Sequence, residues 1–312
     1  MNIFLLCLLI LFGTIFATVQ LLLILGKATK NESLTFYARS IASFTALILC
    51  AAYGTLASAC LNVAGYGGLG QWTTARAFKY VMLLFVGVRF DIQDSQGWLV
   101  KTRPAVFVCN HQTELDVLFL GSMFPRYTSV TAKKSLKMVP FLGWFMSLSK
   151  TVFIERKSRE QAVAAFAKAA EQMHTHKQNV FIFPEGTRSY YEHPDLLPFK
   201  KGAFHLAVQA QVPIVPVVVA NYSNVLNVKK KIFRQGTIPA RVLEPIETKG
   251  KTKEDVDALL EETRTRMLAE LQDLTAHARE EGVALREHEA SHATTNGTVK
   301  ASGVDTRYNA AA

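Results

Sequence analysis

The chain has 312 residues, 49% of them hydrophobic and 19% charged, with a formal net charge of +10. That length holds a sizeable core in one or two domains, and the positive balance favours an anionic partner. Four cysteines, Cys7, Cys50, Cys60 and Cys109, form no C-x-x-C pair, which argues against a disulfide framework or a zinc site and for small buried hydrophobes.

The hydrophobic excess lies mainly in the first ninety residues. Residues 3–25 carry no charge and are long enough to cross a bilayer core as a helix. A signal peptide fits poorly, because no Lys or Arg precedes the run and the run is too long. A second run, 41–64, has the Gly, Ala, Ser and Cys content of helices that pack closely in membranes. Glycines between 65 and 70 then break the helix. Residues 77–90, interrupted by Lys79, read as interfacial or as the start of a globular domain. Lys27, Lys30 and Arg39 precede the bulk of the second run, and Arg76, Lys79 and Arg89 follow it. Both groups favour the cytoplasm, which a hairpin that does not fully cross would satisfy. A lipid bilayer is therefore a better anionic partner than nucleic acid, for which no motif is present.

From about residue 91 short apolar runs alternate with helical periodicity. Residues 105–109, 151–154 and 180–183 read as buried strands. So do 214–219, although Pro216 points to a sheet edge or a strand start. Ser158-Arg159-Glu160-Gln161 forms a capping box, after which Val163, Phe166, Ala170 and Met173 fall on one helix face. A last helix over 254–281 has Val256, Leu259, Leu260, Met267, Leu271 and Leu274 as its stripe. The expected fold is α/β, a mainly parallel sheet covered by helices and preceded by an N-terminal hydrophobic membrane-anchoring helical region. The expected divisions are an anchor over 1–75, a globular domain over 76–281 and a disordered tail over 282–312.

Two segments carry chemistry. Asn110-His111-Gln112-Thr113-Glu114-Leu115-Asp116 follows a buried strand, where open α/β sheets place functional groups. His111 is a candidate general base. Asp116, five residues on, reaches its other ring nitrogen if the chain turns into a helix between them. The competing reading is a capping Asn110, a structural histidine and a carboxylate at a helix start. No G-x-S-x-G elbow is present, and Cys109 is the one thiol beside the motif. A His–Asp pair without its own nucleophile activates a substrate hydroxyl directly.

The second segment, Phe183-Pro184-Glu185-Gly186-Thr187-Arg188-Ser189, ends another strand. Gly186 allows close approach of backbone to ligand, and Arg188 can grip a phosphate through two parallel hydrogen bonds. Thr187 or Ser189 can add a hydroxyl. Glu185 would repel phosphate, so it is expected to contact a hydroxyl or to orient Arg188. A polar turn with a surface ion pair is the bland alternative. Lys133 and Lys134, for which a solvated surface is the bland reading, and Arg156, directly after a buried strand, are further candidate cations.

These blocks together resemble the 1-acylglycerol-3-phosphate acyltransferase family, the lysophosphatidate acyltransferases. Beside the two segments, Phe153-Ile154-Glu155-Arg156, Val212-Pro213-Ile214-Val215-Pro216-Val217 and Lys133-Lys134-Ser135-Leu136 with Pro140-Phe141-Leu142-Gly143 match in order, over residues 75–250. The family often has Asp where this chain has Glu155. The resemblance implies that residues 76–281 are a glycerolipid acyltransferase domain, moving an acyl chain from acyl-CoA to the sn-2 hydroxyl of lysophosphatidic acid. It implies His111 and Asp116 as the catalytic dyad, with Arg188, Arg156 and Lys133 on the substrate phosphate. Glu185, Gly186 and Thr187 position the substrate. No cofactor is implied beyond acyl-CoA as co-substrate, and no metal. The membrane expected is the endoplasmic reticulum, with the site facing the cytosol. Acyltransferases for another lysophospholipid or for glycerol 3-phosphate share the His–Asp pair and remain the alternative. N-x-S/T patterns stand at Asn31, Asn221 and Asn296, and a cytosolic domain would leave Asn221 and Asn296 without sugar.

Overall fold

The computed structural model describes residues 2–155 and 158–298. Two long helices open the chain, α1 (Ile3–Thr29) and α2 (Glu32–Val63), followed by α3 (Gly70–Val86). A 3-10 turn at Gly67–Leu69 separates α2 from α3 where the glycines were expected to break the helix. Then come β1 (Val88–Gln93), α4 (Trp98–Lys101), β2 (Val106–Cys109), α5 (Asp116–Met123), β3 (Thr128–Lys133), α6 (Leu142–Leu148), β4 (Val152–Ile154), α7 (Arg159–His176) and β5 (Asn179–Ile182). The chain closes with α8 (Gly202–Ala210), β6 (Ile214–Val219), the short hairpin β7 (Leu226–Asn227) and β8 (Ile232–Phe233), β9 (Gly236–Val242) and α9 (Val256–Thr298).

One seven-stranded sheet has the order β1-β9-β6-β2-β5-β3-β4. Every pairing is parallel except β6 with β9, so β1 and β9 run against the rest. Its central strands β2, β5 and β6 are buried on both faces, with successive residues facing opposite sides. Val106 and Val108 of β2 face one core with Val180, Ile214, Met173, Phe204 and Met267. Phe107 and Cys109 face the other, with Phe181, Val215, Met82, Leu118 and Phe119. The stripe Val256, Leu259, Leu260, Met267, Leu271 and Leu274 is buried as expected. Val163 is not: it is exposed in the first turn of α7, and Phe166 begins the packed face.

Four expectations change. Pro216 lies in β6, an interior strand between β9 and β2. Its carbonyl accepts from Leu243 on the β9 side, just past the last β6–β9 pair, Val217 with Val242. The missing N–H points to that same side, where the ladder has already ended. The boundary at 75–76 falls inside α3, whose Gln71 donates to Ser149 O (3.0 Å) and accepts from Val130 N (2.8 Å). α9 continues past Gly282 to Thr298; residues 299–312 lie outside the described residues. Cys50 and Cys109 are buried, whereas Cys7 and Cys60 are exposed on α1 and α2.

α1 and α2 are both long and apolar enough to cross a membrane. α2, with 32 residues, is about 48 Å long and is fastened to the globular domain at both ends. Glu32 pairs with Arg234, and Arg39 Nη1 donates to Phe233 O (2.6 Å). At the far end Asn62 donates to Leu148 O (2.8 Å). Arg76, counted above among charges that set orientation, instead caps the end of α5 through Gly121 O (2.9 Å) and Ser122 O (2.7 Å).

Candidate active site

β2, β3, β4, β5 and β6 run parallel, so their C-terminal ends share one edge. Both motifs lie there. After Cys109 the Asn110 side chain bridges to β6, donating to Val219 O and accepting from Val219 N, both at 2.9 Å. This side-chain bridge lets the backbone leave the sheet without orphaning the β6 groups. Gln112 Nε2 holds Val219 O and Ala220 O, each at 3.0 Å.

The chain then turns into α5, whose first residue is Asp116. That turn returns the carboxylate to His111, with Nδ1 to Oδ2 at 2.7 Å. Asp116 is 1% exposed and His111 about one fifth. Oδ2 also accepts from Gln112 N (2.6 Å) and Thr113 N (3.1 Å), while Oδ1 accepts from the Tyr222 hydroxyl (2.7 Å). Four donors converge on this carboxylate, and because a carboxylate oxygen accepts, the His111 proton that faces it sits on Nδ1. Nε2 is then left with its lone pair for a substrate proton. Phe183 stacks on the imidazole, with centroids 4.1 Å apart. This pairing departs from a bland cap-and-carboxylate reading, because Asp116 reaches the ring itself.

Tyr222 escaped the sequence reading. It follows β6, the neighbour of β2, and that position past a strand end was its one signal. Its hydroxyl also meets Thr113 Oγ1 (3.0 Å). Burial, then the Asp116 charge, pushes its ionisation well above the usual tyrosine range, so it stays a donor. Cys109 does not serve as a nucleophile: it is fully buried, and burial followed by the charges of Asp116 and Glu185 pushes the thiol well up.

Two backbone bonds stitch the second motif to the first, Ser189 N to His111 O (2.9 Å) and Tyr190 N to Gln112 O (3.1 Å). Glu185 neither orients Arg188 nor reaches a surface hydroxyl. It is buried, and its oxygens accept from His111 N (2.6 Å) and Leu197 N (3.0 Å). Burial raises its pKa to about 7, against the pull of those two N–H groups. Gly186 has φ +69°, and a Cβ there would approach the Lys200 side chain to 2.9 Å. The left-handed backbone is the reason for glycine. Thr187 is exposed.

Arg188 is exposed and pairs with Glu114 (2.8 Å) and the Tyr190 hydroxyl (3.1 Å). Tyr190 in turn donates to Glu114 (2.7 Å). Among the described residues both Arg188 bonds use Nη1, which leaves the rest of the guanidinium fork for an anion. Lys133 ends β3, exposed on the same edge but two strand spacings from β2. Arg156 lies outside the described residues.

A family model described as Acyltransferase matches residues 92–220. The chain is 46% identical over 248 residues to an uncharacterised acyltransferase of Schizosaccharomyces pombe, covering 78% of this chain and 88% of the relative. It is 42% identical over 239 residues to the 1-acyl-sn-glycerol-3-phosphate acyltransferase of Saccharomyces cerevisiae, covering 77% and 78%. Against the human 1-acyl-sn-glycerol-3-phosphate acyltransferase beta it is 40% identical over 248 residues, covering 77% and 85%. The crystal structure of the 1-acyl-sn-glycerophosphate acyltransferase of Thermotoga maritima shares the fold, with a TM-score of 0.58 at 23% identity over 77% of this chain and 94% of the other.

Proposed function

Because the chain belongs to the 1-acyl-sn-glycerol-3-phosphate acyltransferase family, we propose that it moves an acyl chain from acyl-CoA to the 2-hydroxyl of lysophosphatidic acid, giving phosphatidic acid. The observation that carries the chemistry is the 2.7 Å contact from His111 Nδ1 to a buried, four-donor Asp116. His111 Nε2 takes the hydroxyl proton as the oxygen bonds to the thioester carbonyl carbon. Asp116 stabilises the imidazolium formed. The C–S bond breaks, and the thiolate leaves with the proton from Nε2. No acyl-enzyme forms, and no cofactor is needed beyond acyl-CoA as co-substrate. Arg188 grips the acceptor's phosphate by exchanging part of its bonding with Glu114, with Lys133 adding positive charge from the same sheet edge and Arg156 assisting.

The acceptor is a lipid, so the site must meet a bilayer. The outer faces of α1 and α2 are apolar, with Leu9, Phe12, Phe16, Phe44, Ile48 and Leu56 exposed. With α2 fastened to the domain at both ends, we place this hairpin on the membrane as an anchor that keeps the domain on the side where α1 and α2 are joined. We assign that membrane to the endoplasmic reticulum and that side to the cytosol, where the donor is made. Protease protection of the domain in sealed microsomes tests the side, with digestion from outside expected. Asn221 is no reporter, because its side-chain amide is held by Tyr191 O (2.8 Å) and the residue is buried, its backbone N–H donating to Thr275 Oγ1 (2.9 Å).

The reaction is tested with purified protein, labelled acyl-CoA and a panel of acceptors. Phosphatidic acid from lysophosphatidic acid is expected in large excess over any other product. Preferred use of lysophosphatidylcholine or glycerol 3-phosphate would overturn the assignment.

A further inference from the structure

The connection from β3 to β4 turns an apolar side outward. A 3-10 turn at Lys134–Met138 leads into α6. Met138 (85% exposed), Val139, Phe141, Trp144 (54%) and Leu148 all face solvent. Phe141, Trp144 and Leu148 recur at helical spacing and share one face, while Gly143 and Met146 are buried on the other. Close backbone contacts hold this shape. Gly143 lies so near Lys137 O that a Cβ would come within 2.1 Å of it. Phe141 has φ +60°, a strained conformation for a bulky residue. Its ring nevertheless stays exposed, edge-on to Trp144 with centroids 5.1 Å apart. Water rewards neither the strain nor the bare rings.

This face continues the outer face of α2. Around that helix Thr55 lies between buried Gly54 and exposed Leu56. Thr55 Oγ1 donates to Phe141 O (3.2 Å), and a Cβ on Gly54 would meet the Phe145 ring at 2.8 Å. With the Asn62 bond to Leu148 O at the far end, α6 lies along the margin of the exposed stripe of α2. Lys133, Lys134, Lys137 and Lys150 surround the apolar face, and all four are exposed. Among the described residues none of them is in a salt bridge, and residues 133–150 contain no Asp or Glu.

We propose that α6 and the turn before it form a second, shallow contact with the bilayer, seated among anionic headgroups beside the α1–α2 hairpin. The proposal rests on that hairpin being the membrane anchor. Tryptophan favours the headgroup boundary, and unpaired lysines attract anionic lipid. With seven residues, α6 is far too short to cross. A second copy of this chain, itself at +10, would bring like charge against the lysine rim. The contact also has a use. A hairpin touches the bilayer along one strip, about which the domain can roll. The α6 segment follows directly from the C-terminal end of β3, on the active edge. A foothold there stops the roll and fixes how that edge meets the lipid acceptor.

The experiment reconstitutes full-length wild type and Trp144→Phe in phosphatidylcholine vesicles, with or without phosphatidylserine. Tryptophan quenching is read with bromines placed near the headgroup end or near the methyl end of the acyl chains. The difference between the two proteins reports Trp144 apart from Trp72 and Trp98. Shallow bromines should quench Trp144 more than deep ones. Phosphatidylserine should strengthen the effect, and high salt should shrink that gain. Met138→Glu, at the most exposed of these positions, should cut the quenching of Trp144. It should raise KM for bilayer-embedded lysophosphatidic acid about three- to tenfold, the effect of losing one modest apolar contact. Thermal unfolding and turnover of detergent-dispersed acceptor should stay unchanged. Absent shallow quenching, stronger quenching by deep bromines, or self-association in detergent that Met138→Glu abolishes would each overturn the headgroup contact. Quenching needs no acyl transfer, so a wrong acceptor assignment would leave it unmoved. A wild type that fails to float with the vesicles would overturn the anchor reading on which the proposal rests.

Discussion

His111 and Arg188 stand on segments joined by two backbone hydrogen bonds, yet their surroundings differ in kind. The His111 side is buried and saturated: Asp116 accepts from four donors, and Glu185 pins the His111 backbone. The Arg188 side is exposed and rests on one glutamate and one tyrosine hydroxyl. The contrast fits the work proposed for each. A base must keep one geometry and one tautomer, which a low-dielectric, fully bonded pocket enforces. An anion grip must open for a lipid headgroup and close again, so its resting partners are weak and replaceable.

Substitutions on the two sides should therefore fail differently. Asp116→Asn should have the largest effect, lowering kcat roughly 10²–10⁴-fold, because an amide facing Nδ1 no longer enforces the productive tautomer. Circular dichroism of the same sample would confirm that the fold persists; near-normal kcat would dissolve the distinction. Arg188→Lys should act on KM, raising it about tenfold for lysophosphatidic acid and leaving that for acyl-CoA alone, since lysine cannot make the bidentate contact. Equal damage to both substrates would mean that the exposed side serves both.

Tyr222→Phe sharpens the buried side. Removing the donor from Oδ1 leaves more negative charge on Asp116 and favours the imidazolium. The acid limb of the kcat profile should move up by roughly half to one pH unit, a shift equal to about 1 kcal/mol. A uniform loss of rate with no shift would make Tyr222 a packing residue only. Glu185→Gln tests the backbone pin. With its folded pKa raised to about 7 from 4.5, the folded state binds the extra proton between those values. Wild-type stability should accordingly fall as pH rises through that window, by about 3 kcal/mol. The glutamine variant should lose that slope, read as a flatter dependence of Tm on pH from 4.5 to 7. An unchanged slope would place the titration elsewhere.

Much of this was legible because it is local or fully apolar. The His111–Asp116 contact spans five residues and one turn, so spacing alone suggests it. β2, β5 and β6 are buried on both faces and read as unbroken apolar runs. β1 and β9 went unnoticed because polar residues such as Arg89, Asp91 and Arg241 alternate with their buried ones. β3 opens on Thr128 and Ser129, buried but polar, with Thr128 accepting from the Asn179 amide (3.2 Å). Glu185 was misread for a different reason. Its partners are backbone N–H groups at His111 and Leu197, and a main-chain donor leaves no mark in the sequence. Tyr222 lies 106 residues from Asp116, a pairing set by the adjacency of β2 and β6 that no spacing rule reveals.

The central claim is that His111 is the base and that transfer is direct. It is tested most directly by single-turnover transfer from labelled acyl-CoA to lysophosphatidic acid, comparing wild type with His111→Ala. The variant should transfer roughly 10²–10⁴ times more slowly, with unchanged binding of both substrates and unchanged unfolding, and neither protein should carry label after denaturation. A folded His111→Ala enzyme of near wild-type rate, or a stable acyl-protein in the wild type, would contradict it.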